Sequence, residues 1–264
     1  MITAFLRNDD VRDSLDDSLC YLTLKAAESG IPISHAVEPA NVNEKVSGWL
    51  RTIQSSFPEY VEILQHGFDH TIKTKPPCRG EFGFGRNFEE QFKDINNGAV
   101  LMDFYFGDAW SRIFSFPYGT YDKTTLKAIE KSKYKIISTG IRLSPKRRIL
   151  NAVGQTLRVK QLFGHNIVYF KKYVPKFSFS EAPVIINNTK QQTGKNIGIQ
   201  LSAKELQHEW SRLPRSIKIR GILCHHRFNN RKDIDELIQF MLLLKKNGVN
   251  FSKIWNLYEN MDNL

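Results

Sequence analysis

Along residues 2–138, apolar runs of strand length alternate with amphipathic stretches of helix length, and few folds accept that beat. Residues 2–6, 31–37, 61–65, 113–116 and 135–138 are too short for buried helices and rich in β-formers. Between them, 18–29, 43–56, 88–106 and 123–131 carry apolar residues at helical spacing, the first of these with Gly30 as its stop signal and the third despite the interruption Asn96-Asn97-Gly98. Between 142 and 199 the beat is lost: 156–173 mixes β-formers with polar residues and 187–195 is polar and turn-rich, as in an insertion or a group of irregular strands. Order returns with Ser202-Ala203-Lys204-Glu205, a capping-box signature for a helix to about Arg212, then a strand at 217–223, a helix at 233–247 stopped by Gly248, and a short strand at 249–251. No repeat or linker stands out. The expectation is a single α/β domain over 1–264 around a parallel sheet, closed or open, with an irregular insertion at about 142–199.

In such folds functional residues gather at the carboxyl ends of the strands. Asp9-Asp10 end the first apolar run, His66 and His70 follow the third, Pro117-Tyr118-Gly119 follow a later one, and His225-His226 end the strand that closes at Leu223. Alone, each has a plain explanation: a helix cap for the aspartates, hydrogen-bonded loop residues for the first histidines, an exposed strand end for the second pair. Together they converge on one rim. One Asp with two His makes three ligands and leaves a position open for water, as in catalytic zinc sites, while the spare carboxylate can take a proton. The four-residue spacing of His66 and His70 would put both rings on one face of a helical turn.

The bulk properties narrow the partners. The 264 residues, 41% of them apolar, can build a sizeable core. The net charge of +11 is scattered rather than gathered into a nucleic-acid motif, so nucleic acid is not expected; a solvated basic surface or attraction to a phosphorylated or acidic substrate accounts for it. Cys20, Cys78 and Cys224 are an odd set without metal-binding spacing and read as reduced thiols, Cys224 lying beside the histidine pair. Charge at Arg7 to Asp10 follows the first apolar residues directly, and no segment reaches membrane-span length, so a cytoplasmic protein is expected.

Asp9-Asp10, His66-x-x-x-His70, Phe116-Pro117-Tyr118-Gly119 and Leu223-Cys224-His225 resemble, in order and spacing, the motifs of the polysaccharide deacetylases, carbohydrate esterase family four. The stretch from Glu81-Phe82-Gly83 to Phe116-Pro117-Tyr118-Gly119 resembles the branch associated with O-antigen and surface-polysaccharide synthesis. The resemblance implies a distorted (β/α) barrel of about seven parallel strands and a metal-dependent N-deacetylase. Its substrate would be an acetamido sugar, phosphorylated, nucleotide-linked or lipid-linked. It makes Asp9 the general base, Asp10, His66 and His70 the metal ligands, His225 the general acid and the Tyr118 backbone N–H an oxyanion donor. The metal implied is divalent, Zn2+ first, with Co2+, Ni2+ or Fe2+ suiting the same donors. Pro117, Tyr118, His226 and Glu81 are expected near substrate.

Two departures from the family pattern set further expectations. The arginine that holds the base stands two residues before the proline of the third motif, and here that position is Ser115. Arg86, at the end of the Gly-rich stretch 80–85, is expected to replace it, with Glu81 as its partner and Arg112 the next candidate. The Asp-and-Trp motif has no clear counterpart, although Trp210 is available, and His226 could exchange roles with His225. A deformylase with the same site and a non-catalytic carbohydrate-binding protein are the alternatives.

Overall fold

The computed structural model describes residues 1–76, 79–140, 177–191, 198–215 and 217–259. Its strands are β1 (Thr3–Val11), β2 (Ile33–Val37), β3 (Val61–His66), β4 (Ile113–Ser115), β5 (Ile136–Gly140), β6 (Ser180–Asn187), β7 (Thr189–Gln191), β8 (Gly198–Gln200), β9 (Ile219–Cys224) and β10 (Asn250–Phe251). Seven of them, β1 to β6 and β9, follow one another in a parallel sheet that closes into a barrel when β9 pairs back onto β1. The short β10 adds to β1 at Thr3↔Asn250, and β7 with β8 forms a separate antiparallel pair. The expected α/β barrel of about seven parallel strands is therefore the observed one.

The intervening helices are α1 (Asp17–Glu28), α2 (Glu44–Ser56), α3 (Phe88–Phe106), α4 (Lys123–Lys131), α5 (Ala203–Ser211) and α6 (Arg231–Lys246). Each begins on a side chain that accepts a backbone N–H left without a helical partner: Asp16, Asn43, Asn87, Asp122, Ser202 and Asn230 in turn. Asn96-Asn97-Gly98 does not interrupt α3. The reason is packing, because a Cβ on Gly98 would stand 2.2 Å from Gln65 Nε2 and 3.1 Å from the Gly67 carbonyl oxygen. The glycine lets the helix approach the end of β3, where Gln65 Nε2 donates to Gly67 O at 2.8 Å and to Ile95 O at 3.2 Å.

Two elements depart from expectation. β1 runs through Asp9-Asp10 to Val11 rather than stopping at residue 6, because β9 pairs with it as far as Asn8↔Cys224 and β2 as far as Val11↔Val37. Ladder hydrogen bonds on both edges outweigh the turn preference of Asn and Asp. β6 lies in the stretch where the beat is lost; Ala182, Val184 and Ile186 alternate inward as a strand requires, but Pro183 obscures the signal. The expected mixed stretch 156–173 and Cys78 lie outside the described residues.

By contacts the chain divides into two units, the first comprising 1–37, 42–63 and 186–264 and the second 38–41 and 64–185. The first is built on a cluster in which Ala4 and Leu6 of β1 meet Leu22 and Ala26 of α1 and Leu237, Phe240 and Met241 of α6. The second is aromatic: Phe114 packs edge-on against Phe82, Phe116 and Tyr134. The Tyr134 hydroxyl donates to Gln65 Oε1 beneath the β3 end.

Two glycine substitutions separate helix propensity from packing. Gly48 in α2 has nothing within 4 Å of the place a Cβ would take, so Gly48→Ala should raise stability by about 0.5–1 kcal/mol. Gly98→Ala should instead lower it by about 1–3 kcal/mol, because the methyl overpacks against Gln65. Urea unfolding of both variants checks the opposite signs, and a stabilised Gly98→Ala would contradict the close approach.

Candidate metal centre and its supports

β1 places four polar side chains in succession, all buried: Arg7, Asn8, Asp9 and Asp10 are 3%, 0%, 3% and 8% exposed. Strand alternation puts Arg7 and Asp9 on the face opposite Ala4, Leu6 and Asn8. Arg7 grips Asp9 with a two-pronged contact, Nε to Oδ1 at 2.7 Å and Nη2 to Oδ2 at 2.8 Å. The register against β2 then slips by one residue between Asn8 and Val11, a bulge, and Asp10 takes the left-handed backbone at φ 61. Bulges re-aim side chains, and Asp tolerates that region better than most residues. The slip releases Asp10 from the simple alternation that would set it opposite Asp9.

On its own face, Asn8 organises a buried polar ladder. Thr23 Oγ1 spends its hydrogen on Leu19 O at 2.7 Å, so it accepts from His35 Nε2 at 3.1 Å. His35 Nδ1 must then accept, and it faces Asn8 Nδ2 at 3.1 Å. His226 Nδ1 lies 3.1 Å from Asn8 Nδ2 and 3.2 Å from Asn8 Oδ1, and Asn8 Oδ1 receives the His226 backbone N–H at 2.9 Å. His226 Nε2 faces Asp16 Oδ2 at 3.6 Å. Both imidazoles are thereby neutral: burial lowers His35 to about 3, and burial, opposed by Asp16, lowers His226 to about 4.

The ladder also ties β1 to the end of β9, where Asn8↔Cys224 is the last registered pair and His225 follows in sequence. His225 is half-buried, its carbonyl held by Asn229 Nδ2 at 2.6 Å, and its Nδ1 is buried with no hydrogen-bond partner among the described residues. His226 is 1% exposed and committed to Asn8, which corrects its expected place near substrate and its exchange with His225. Cys224 is likewise buried, its thiol pushed up by burial and directed at Asn8 Oδ1 at 3.8 Å, so it lines no open site.

The other histidines stand at the end of β3. His66 is the last strand residue and His70 lies in the following loop at φ 55, with ring centroids 5.4 Å apart, so strand end and loop bring them together rather than a helical turn. Ser115 Oγ donates to Gln65 O at 3.2 Å and so accepts from His66 Nδ1 at 2.8 Å, which makes His66 Nε2 the lone-pair nitrogen in this tautomer. The residue expected to be a lost cation therefore orients an expected metal ligand.

Glu81 is fully buried, and its carboxylate receives three successive backbone N–H groups: Phe68 at 2.8 Å, Asp69 at 3.1 Å and His70 at 3.2 Å. Burial raises it to about 7 against those hydrogen bonds and nearby Lys73. Gly67 makes room for it, since a Cβ there would lie 2.4 Å from both Glu81 Oε2 and Pro117 Cγ. Glu81 is thus committed to the backbone of the histidine loop, and Pro117 packs into the room that Gly67 leaves. Tyr118, 44% exposed at φ 59, closes the loop from above, its ring 4.5 Å from His70 and its hydroxyl donating to His70 O at 2.8 Å. A tyrosine in that backbone region costs on the order of 1–3 kcal/mol and persists only where its surroundings hold it.

Arg86 donates to Asp94 at 2.7 Å and to Glu81 O at 2.7 Å, and Arg112 pairs with Asp103 at 3.0 Å over the Trp110 ring. Arg7 pairs with Asp9, and both expected substitutes have partners of their own. Trp210 packs on Phe240 under Arg220, a core role.

One donor atom from each of Asp10, His66 and His70 lies within 4.8 Å of the others, a group that could hold a metal ion. The donor set suits a divalent cation, and with Nδ1 engaged by Ser115 the nitrogen left for His66 to offer is Nε2.

No family model matches the sequence, and no curated protein matches it significantly. Solved structures do match. A family 4 acetyl xylan esterase from Clostridium thermocellum, solved with a cobalt ion, is similar over 97% of this chain and 90% of its own at 12% identity and a TM-score of 0.58. A peptidoglycan N-acetylglucosamine deacetylase is similar over 96% and 86% at 13% identity and 0.56. A family 4 pseudoenzyme from Bacillus anthracis covers 97% of this chain and 64% of its own at 9% identity, again with 0.56. The fold is that of the family 4 carbohydrate esterases. No helix among the described residues is long and apolar enough to cross a membrane.

The neutral ladder has a measurable signature. His35 carries a folded value near 3 against about 6.5 unfolded, so the unfolded chain binds the extra proton and stability is lost as pH falls from 6.5 toward 3. From pH 7.5 to 5 the wild type should lose about 2 kcal/mol more than His35→Gln, which has no such proton to bind. Urea unfolding at both pH values checks this, and parallel losses would contradict a buried neutral His35.

Proposed function

We propose that the chain is a metal-dependent hydrolase that removes the N-acetyl group from an acetamido sugar, an intermediate of surface-polysaccharide synthesis. The observation that carries the reading is the approach of the Asp10, His66 and His70 donors, with a buried, arginine-held Asp9 next in sequence to the first of them. The deacetylase and esterase structures that share this fold support the same reaction class.

In this reading Asp10, His66 and His70 hold the cation. When bound, a divalent metal supplies Lewis acidity that polarises the amide carbonyl and makes water easier to deprotonate. Asp9 takes the proton from the attacking water, and His225, which follows the last residue of β9, delivers one to the departing amine. The Tyr118 backbone N–H donates to the developing oxyanion. Glu81 and Ser115 keep the two histidine ligands in place without meeting substrate. The net charge of +11 favours a phosphorylated, nucleotide-linked or lipid-linked sugar over a neutral one.

Purified protein loaded with zinc or cobalt should release acetate from one member of a panel of acetamido sugars, free, nucleotide-linked and lipid-linked. Alanine at Asp10, His66 or His70 should remove the metal and the activity together. Asp9→Asn should keep the metal and lose about a hundred-fold or more in rate. Formate release from formamido sugars alone would make it a deformylase. Sugar binding with release of neither acid would overturn the hydrolase reading in favour of a carbohydrate-binding protein.

A further inference from the structure

We propose that Arg7 is the positioning residue that holds Asp9 in its working orientation from within the same strand; this rests on the hydrolase reading. Three observations carry it. The guanidinium meets both carboxylate oxygens at 2.7 and 2.8 Å, and both side chains are about 5% exposed or less. A two-pronged contact fixes the plane of a carboxylate as well as its position, which a single hydrogen bond does not.

Strand geometry supplies the second observation. Residues two apart on a strand share a face, and β1 is paired on both edges at this level, with Arg7↔Leu223 on one side and Arg7↔Ser34 on the other. The distance between the two Cα atoms is therefore set by the barrel and not by a loop. Third, Ser115, two residues before Pro117, is an uncharged residue engaged elsewhere, since it accepts from His66 Nδ1 at 2.8 Å. An arginine there would displace the hydroxyl that selects the His66 tautomer.

The test compares Arg7→Ala, Arg7→Lys and Asp9→Asn, each metal-loaded, against wild type. Arg7→Ala should lower kcat about a hundred-fold while KM moves less than about three-fold, since a misoriented base costs the chemical step rather than binding. Guanidinium ion added in solution should restore part of that loss in Arg7→Ala and none in Asp9→Asn. Arg7→Lys should fold, keep its metal and remain at least about ten-fold slow, because an ammonium cannot reproduce the fork. Crystal structures of the variants give a readout independent of turnover: the Asp9 carboxylate should leave its wild-type rotamer. A wild-type kcat in folded Arg7→Lys or Arg7→Ala, or an unmoved Asp9, overturns the proposal. A wild type that releases no acid refutes the hydrolase reading instead, and the Asp9 rotamer then decides the clamp alone.

Discussion

The constraint on which the rest depends is that β1 buries Arg7, Asn8, Asp9 and Asp10 in an unbroken run. A buried charge without a partner costs several kcal/mol, and breaking a buried pair by removing one member costs about 3–5 kcal/mol. Each residue of the run must therefore be matched, and the matching dictates much of the surrounding structure. Arg7 matches Asp9 within the strand. Asn8 is matched by His35 from β2 and His226 beyond β9, so its amide fastens three neighbouring strands. The bulge then turns Asp10 out of the simple alternation, and Asp10 is one of three residues whose donor atoms lie within 4.8 Å of one another. Stability and chemistry here draw on the same side chains.

The second unit solves a different problem, that of presenting two histidines from a strand end and a loop with little freedom. Its means are close approach and backbone capture. Gly67 and Gly98 remove side chains where Glu81, Pro117 and Gln65 must pass, and the Glu81 carboxylate gathers three consecutive N–H groups that the turn would otherwise leave buried. Lys73 links Asp69 at 2.7 Å to Asp94 at 2.9 Å, and Arg86 joins Asp94 from the other side. Arg86 thus braces the base of the histidine loop.

Much of the barrel was readable because apolar periodicity changes between 2 and 3.6 as strands and helices alternate, and because the motifs fall at strand ends. Asp9, Asp10, His66, His70 and His225 were visible as residue types whose chemistry needs them close. Arg7 escaped because the strand was expected to end at residue 6, although opposite charges two apart on a strand share a face and would have paired it with Asp9. Glu81 was seen but misassigned: its partners are backbone groups, which no side-chain pattern announces. His226 could not be told from His225 by sequence, since only the Asn8 contact distinguishes a structural imidazole from an available one. β6 was hidden by Pro183, and a bulge at Asp9-Asp10 has no sequence signature beyond residues that tolerate a positive φ.

The central claim is that one carboxylate and two imidazoles converge to bind a divalent cation while leaving room for water. X-ray absorption of the cobalt-loaded protein tests it most directly. The account predicts a first shell of nitrogen and oxygen only, with outer-shell scattering from two imidazoles and with light-atom ligands beyond the three protein donors. A shell containing sulfur, one lacking imidazole scattering, or one with imidazole scattering unchanged in His66→Gln would contradict it.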